Sequence, residues 1–170
     1  MPRTFEVAIT SPHSTRQVFD AFAAAAYWHD RYAAFESSTT LDELDRTSTP
    51  DGESVRLVMT EDLRADRLPS LIGRVYPGEL KVRTTEHWQV GADDRVHGTI
   101  EITVLGAPGS GLGRARIEPA SGGSHMVVDG TVEVRLPLVG GRVESVIGAE
   151  FRRHIPDVGR FTTEWIDNHD

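Results

Sequence analysis

Cysteine is absent from this 170-residue chain. That excludes a disulfide framework, thiolate catalysis and cysteine-ligated zinc or iron–sulfur sites, and it suits a reducing compartment. Long apolar runs are also missing. No stretch approaches the roughly 18 residues that a spanning helix needs, so membrane insertion is not expected. Met1-Pro2-Arg3-Thr4-Phe5-Glu6 lacks a basic region followed by an apolar one, and the expectation is a cytoplasmic protein without a signal peptide. Positive charge is short: 18 Lys and Arg stand against 26 Asp and Glu, a net charge of −8. An acidic surface repels phosphate backbones, which argues against nucleic acid as a partner.

Motifs of common chemistries are lacking too. The seven histidines include no His-x-His and no His-Glu-x-x-His, so neither a metal nor another cofactor is expected. Gly109-Ser110-Gly111-Leu112-Gly113 is glycine-rich but lies between strand patterns. A phosphate-binding loop needs a helix N-terminus behind it. There is no Gly-x-Ser-x-Gly elbow, and hydrolase chemistry has no positive support.

What is present is patterning. Phe5, Val7 and Ile9 alternate with polar residues as in a half-buried strand. Ser14 or Thr15 can cap a helix carrying Val18, Phe19 and Phe22, and helical tendency continues through Tyr27, Trp28 and Tyr32. Residues 37–49 read as a strand, Pro50-Asp51-Gly52 as a turn, and Val55, Leu57 and Met59 as the inward face of its hairpin partner. Residues 61–73 read as a connecting loop. Leu80, Val82, Thr84, Glu86, Trp88 and Val90 share one strand face. Val96, Gly98, Ile100, Ile102 and Val104 share the next. Residues 106–113 read as a Gly/Pro-rich turn, Ala115 and Ile117 as a shorter strand, and Met126, Val128, Gly130, Val132 and Val134 as the inward face of the last strand.

Alternation over successive strands makes an antiparallel meander with one buried face. Its cover is the C-terminal segment, where Val143, Ile147, Phe151, Ile155, Val158, Phe161 and Trp165 recur mostly at three- and four-residue steps. Pro156 removes one backbone donor, so a kink near Arg153 is expected. The class is α+β: a curved antiparallel sheet of six to seven strands around a long C-terminal helix, with two short helices after the first strand, in one domain spanning residues 1–170.

This order resembles the helix-grip fold of the START-like, polyketide cyclase-like superfamily. Residues 134–144, where the last strand breaks at Pro137 and Gly140-Gly141 into the helix, together with Ala26-Tyr27-Trp28, resemble an uncharacterised actinobacterial family, domain of unknown function 2505. The resemblance implies a cavity between sheet and helix that takes a hydrophobic small molecule or lipid. Two other activities occur on that fold: cyclase/aromatase-type catalysis by cavity acid/base groups, and a co-chaperone-like interaction surface. A fold does not choose among them. Mostly aliphatic inward faces favour a binder over an enzyme.

The expected lining is Trp28, Met59, Glu86, Trp88, Ile100, Met126, Val128, Ile147, Glu150, Phe151 and His154, over a floor left open by Gly98 and Gly130. Glu86 is the odd member, a carboxylate among apolar neighbours. It reads as a polar anchor or general acid, or as a partnered charge near a sheet end. Glu150 and His154, four apart, share a helix face and read as an acid/base pair or as a boundary pair. The run Tyr27-Trp28-His29-Asp30 and Tyr32 reads as a cavity mouth, or as core packing beside a surface His–Asp pair.

Overall fold

The computed structural model describes residues 2–63, 70, 74 and 80–170. Its elements are β1 (Arg3–Ser11), α1 (Thr15–Phe22), α2 (Ala25–Ala34), β2 (Thr39–Thr49), β3 (Gly52–Leu63), β4 (Leu80–Val90), β5 (Val96–Leu105), β6 (Gly109–Ala120), β7 (Gly123–Val134) and α3 (Gly140–His169). The seven strands form one antiparallel sheet in the order β1-β7-β6-β5-β4-β3-β2. The chain meanders from β2 to β7, and β1 closes the far edge. The expected architecture of curved sheet, two short helices and long C-terminal helix is the one observed.

Local chemistry sets the helices. The Ser14 hydroxyl accepts the Gln17 backbone N–H at 3.2 Å while the Gln17 side chain accepts from Ser14 N–H at 2.9 Å, a reciprocal cap that starts α1. Pro156 lies inside α3 without ending it, and the helix runs for 30 residues. Packing against β1 and β7 offsets the lost donor: Ile9 fills the space beside Gly159, and Phe151 stacks on Phe5 at 5.3 Å.

The sheet differs from the sequence reading at β6 and at the end of β3. Gly109, Gly111 and Gly113 belong to β6, paired with Val134, Val132 and Gly130 of β7, so β6 is as long as its neighbours. Turn-like composition was the misleading signal. Side chains of β5 lie against them, Ile102 and Ile100 at about 3.4 Å from where the Cβ atoms of Gly111 and Gly113 would sit. In the expected loop over 61–73, β3 continues through Leu63. Apart from Ser70, the remainder of that loop lies outside the described residues.

Strand pairing arranges the inward face in rows. One row joins Val55, Trp88, Gly98, Ala115, Val128 and Val7. The next joins Leu57, Glu86, Ile100, Gly113, Gly130 and Phe5. A third joins Met59, Thr84, Ile102, Gly111 and Val132; beyond it Val82 pairs with Val104, and Gly109 with Val134. The first row is closed. Phe19, Phe22, Tyr27 and Trp28 of the short helices press on it, and Val55, Trp88, Ala115 and Val128 are all buried. Beyond the second row the packing thins. Val82, Thr84, Ile102 and Val104 face the helix layer yet remain half-buried. Among the described residues, Leu80 and Val143 form a buried cluster there, with Leu63, Val104, Ala107, Val134 and Ile147 packed against it. Among the described residues, the interior is closed at the α1–α2 end and less completely so around Val82, Thr84 and Ile102, with Glu86 and Ile100 on the boundary.

Candidate functional site

The boundary row carries the polar chemistry. Glu86 is 7 % exposed, and its Oε2 accepts the Trp88 indole N–H at 2.8 Å. Burial raises its pKa; the positive charge of Arg31 and the indole bond pull it down. The sequence places Glu86 on the inward face correctly, and its partner is a neighbour two positions along the same strand rather than a cation.

Tyr27, Arg31 and Phe35, spaced four apart along the α2 segment, share one helix face, and Tyr27 and Phe35 contact α3. The Tyr27 hydroxyl meets Thr162 Oγ1 at 2.7 Å, and the Phe35 ring stands edge-on to His154 at 4.9 Å. Arg31, between them, lies over the Trp28 ring at 4.9 Å. Its charge reaches four interior groups: Tyr27, Tyr32, Glu86 and His154. Burial raises both tyrosines, with Tyr32 also donating to Met59 Sδ at 3.3 Å. Burial, then Arg31, lowers the His154 pKa, while Glu61 and Glu150 raise it. Arg31 is the functional candidate that the sequence reading missed. The signal was available, a cation at one-turn spacing between Tyr27 and Phe35 and three residues from Trp28.

The expected lining residues divide into groups. Trp28, Met59, Trp88 and Val128 belong to the solid core, between 0 and 9 % exposed. Met126 borders a narrow cavity of about 50 Å³ with Ile9, Phe22, Ile155, Val158 and Thr162. Ile100, Ile147 and Phe151 are half-buried on the loose side. Glu150 and His154 are exposed and line an open cleft of about 460 Å³ along α3, shared with Phe151, Arg153 and Asp157. Glu150 is ion-paired with Arg153. No hydrogen bond joins Glu86 to His154; what they share is Arg31.

The glycine floor is not open. The Trp88 ring lies over Gly98, with ring carbons 2.5 Å from the position of a Cβ, and the Phe5 ring lies as close over Gly130. Large aromatic neighbours have already taken the volume that glycine releases. In the aromatic run after α1, Tyr27 and Trp28 are core residues, whereas His29 and Asp30 are exposed and Asp30 accepts the Trp165 indole N–H at 2.9 Å.

Comparison with known proteins places these features in context. Residues 6–166 match the family model described as "Protein of unknown function (DUF2505)". Uncharacterised proteins of Mycobacterium tuberculosis and Mycobacterium bovis are 31% identical over 173 residues, covering 99% of each chain. Among solved structures, a norcoclaurine synthase point mutant from Thalictrum in complex with a transition-state analogue superposes with a TM-score of 0.56 at 10% identity, covering 99% of this chain and 96% of that one. The di-domain ARO/CYC protein BexL gives 0.55 at 14% identity, over 96% of this chain and 49% of its own. Ara h 8.0201 gives 0.51 at 13% identity, over 99% of both chains. At such identities the likeness is one of fold.

Proposed function

The chain belongs to the DUF2505 family, and we propose that it binds a hydrophobic small molecule or lipid between the sheet and α3, on the loose side of Glu86 and Ile100. The observation that carries this reading is the half-burial of Val82, Thr84 and Ile102, three inward-facing side chains that the described residues leave partly exposed. Covering them with an apolar ligand would remove their remaining surface from water, at about 25 cal/mol per Å². Ile147 and Phe151 of α3 offer the opposite wall, and the cleft beside Glu150 and His154 offers a route in. Ligand sites of this kind pair a mostly apolar lining with a few placed polar groups. The solid core formed by Trp28, Trp88 and Phe22 then acts as the end wall of the site rather than its lining.

A cyclase-like reading needs Glu86, Tyr27 or His154 to converge on one open space. Glu86 is held by Trp88, Tyr27 is enclosed and bonded to Thr162, and His154 faces the cleft. The geometry favours a binder.

Nile red, a neutral apolar dye, is expected to bind with a blue shift in emission. Ile102→Trp fills the third row and should weaken that binding at least tenfold, with thermal unfolding still cooperative. Leu112→Trp is the control: Leu112 is 48% exposed on the outer face of β6, and its replacement should leave the dye affinity unchanged. Equal affinity in Ile102→Trp and the control would remove the interior site. Independently, denaturing extraction of freshly purified protein followed by mass spectrometry should release a stoichiometric apolar compound.

A further inference from the structure

At its closed end the inward face of the sheet turns polar. Along β1 the inward positions run Phe5, Val7, Ile9 and then Ser11; along β7, counted back from Val128, they run Met126 and then Ser124. Ile9 pairs with Met126 and Ser11 with Ser124, so the two serines stand side by side on that face. They border the narrow cavity of about 50 Å³, whose walls come from β1, β7, α1 and α3 and are otherwise largely apolar. The third hydroxyl on its rim is spent. Thr162 Oγ1 gives its proton to the Val158 carbonyl at 2.8 Å and therefore accepts from Tyr27 at 2.7 Å. Ser11 Oγ accepts the His13 N–H at 3.1 Å and keeps its own proton to donate. Ser124 is 3% exposed and has no hydrogen-bond partner among the described residues. A buried hydroxyl without a partner is costly. The cavity exceeds the roughly 10–15 Å³ that one water needs, but a buried water is held by about two to four polar partners, and two hydroxyls would hold one poorly.

We propose that this cavity is a second binding site, separate from the interior site beyond Glu86, and that it takes a small neutral carbonyl compound: a compact apolar body whose one oxygen sits on the Ser11–Ser124 pair. A carbonyl oxygen offers two lone pairs and no proton, which suits two hydroxyl donors standing side by side. A carboxylate does not suit it. None of the lining residues is charged, and enclosing an unpaired ion costs far more than enclosing a neutral oxygen. The apolar body lies against Phe22, Met126, Ile155 and Val158, and its removal from water supplies the affinity. Ile9 and Ser11 of β1 and Ile155 and Val158 of α3 are half-buried, which leaves the cavity partly open to solvent. The closed core divides the two sites: Phe22, on the cavity wall, packs on Trp88 at 4.8 Å between ring centroids, and Trp88 in turn holds Glu86. The second site therefore stands or falls apart from the first.

The test is a methyl NMR titration of the full chain with three probes of one ring size: cyclopentanone, cyclopentanol and cyclopentane. In the wild type the methyl signals of Ile9, Met126, Ile155 and Val158 should move together at millimolar cyclopentanone. The ketone should bind tighter than cyclopentane by about fivefold or more, roughly the worth of one net hydrogen bond. Cyclopentanol should fall between them. Ser124→Ala should bring the ketone down to the hydrocarbon level without weakening cyclopentane, and Ser11→Ala should do so in part. Ile102→Trp, which fills the interior site, should leave the ketone affinity unchanged. If no probe moves those methyls, the cavity is a packing gap and the proposal falls. Equal affinity for ketone and hydrocarbon in the wild type would overturn it, since the serine pair would then read nothing. Cyclopentanol binding tighter than cyclopentanone would overturn the carbonyl assignment. Loss of ketone binding in Ile102→Trp would make the two sites one and overturn it as well.

Discussion

Gly98→Ala should destabilise the protein by roughly 1–3 kcal/mol, the range for forcing a methyl group into a packed core. In a β-strand the reverse is the usual result, because alanine restricts the unfolded chain and typically stabilises. The sign changes here because the new Cβ would fall 2.5 Å from two carbons of the Trp88 ring. That ring is hard to move. It is 4% exposed, it packs on Phe22 at 4.8 Å between centroids, and its N–H is held by Glu86. Urea unfolding of Gly98→Ala, Trp88→Leu and the double variant would check the cause. The two changes should be strongly coupled, the alanine costing little once the ring is gone. Additive losses would mean that the ring is not the obstacle.

Glu86→Gln is expected to stabilise the protein near neutral pH and to flatten its pH dependence. The sign follows from the direction of the shift. Burial raises the carboxyl pKa in the folded state above its ordinary value of 4.5, so the folded state holds the proton more tightly than the unfolded one does. Below 4.5 both states are protonated and the wild type pays nothing. As the pH climbs from there through the raised pKa, the wild type loses stability, because folding must enclose a charge. Glutamine has no charge to enclose and can still accept the Trp88 N–H. Denaturation midpoints of the two proteins from pH 4 to 8 should therefore start close together and separate upward. Parallel curves would mean that Glu86 is as comfortable ionised inside the fold as outside it. Arg31 opposes the burial effect, so Arg31→Gln should steepen the wild-type dependence.

Much of this fold can be read from alternation. β1, β4, β5, β7 and α3 carry periodic apolar faces, and each lies where its period indicates. The reading was less reliable where one residue type serves two ends. Gly109, Gly111 and Gly113 look like a turn because glycine is usual there, yet all three pair with β7 inside β6. Gly98 and Gly130 look like vacant floor because a string of letters does not show which ring leans across a missing side chain. The site was legible in part. Glu86 stands out as a charge in an apolar row. Arg31 does not, since a helical arginine between aromatic positions looks like a solvated residue until its neighbours are known. The split between closed and loose halves depends on packing depth, which has no counterpart in sequence periodicity.

The sheet order also bears on how the chain is made. The first strand pairs only with the last, Arg3 with Val132 and Ser11 with Ser124, a separation of about 113 to 129 positions. Every other strand finds a partner in the hairpin next to it. At a synthesis rate of about 5–20 residues per second, Phe5, Val7 and Ile9 leave the ribosome roughly 6–25 s before the strand that will cover them exists. β1 thus waits longer for its partner strand than any other strand of the sheet. Its short length and its alternating Glu6 and Thr10 limit what else it can pair with during that wait.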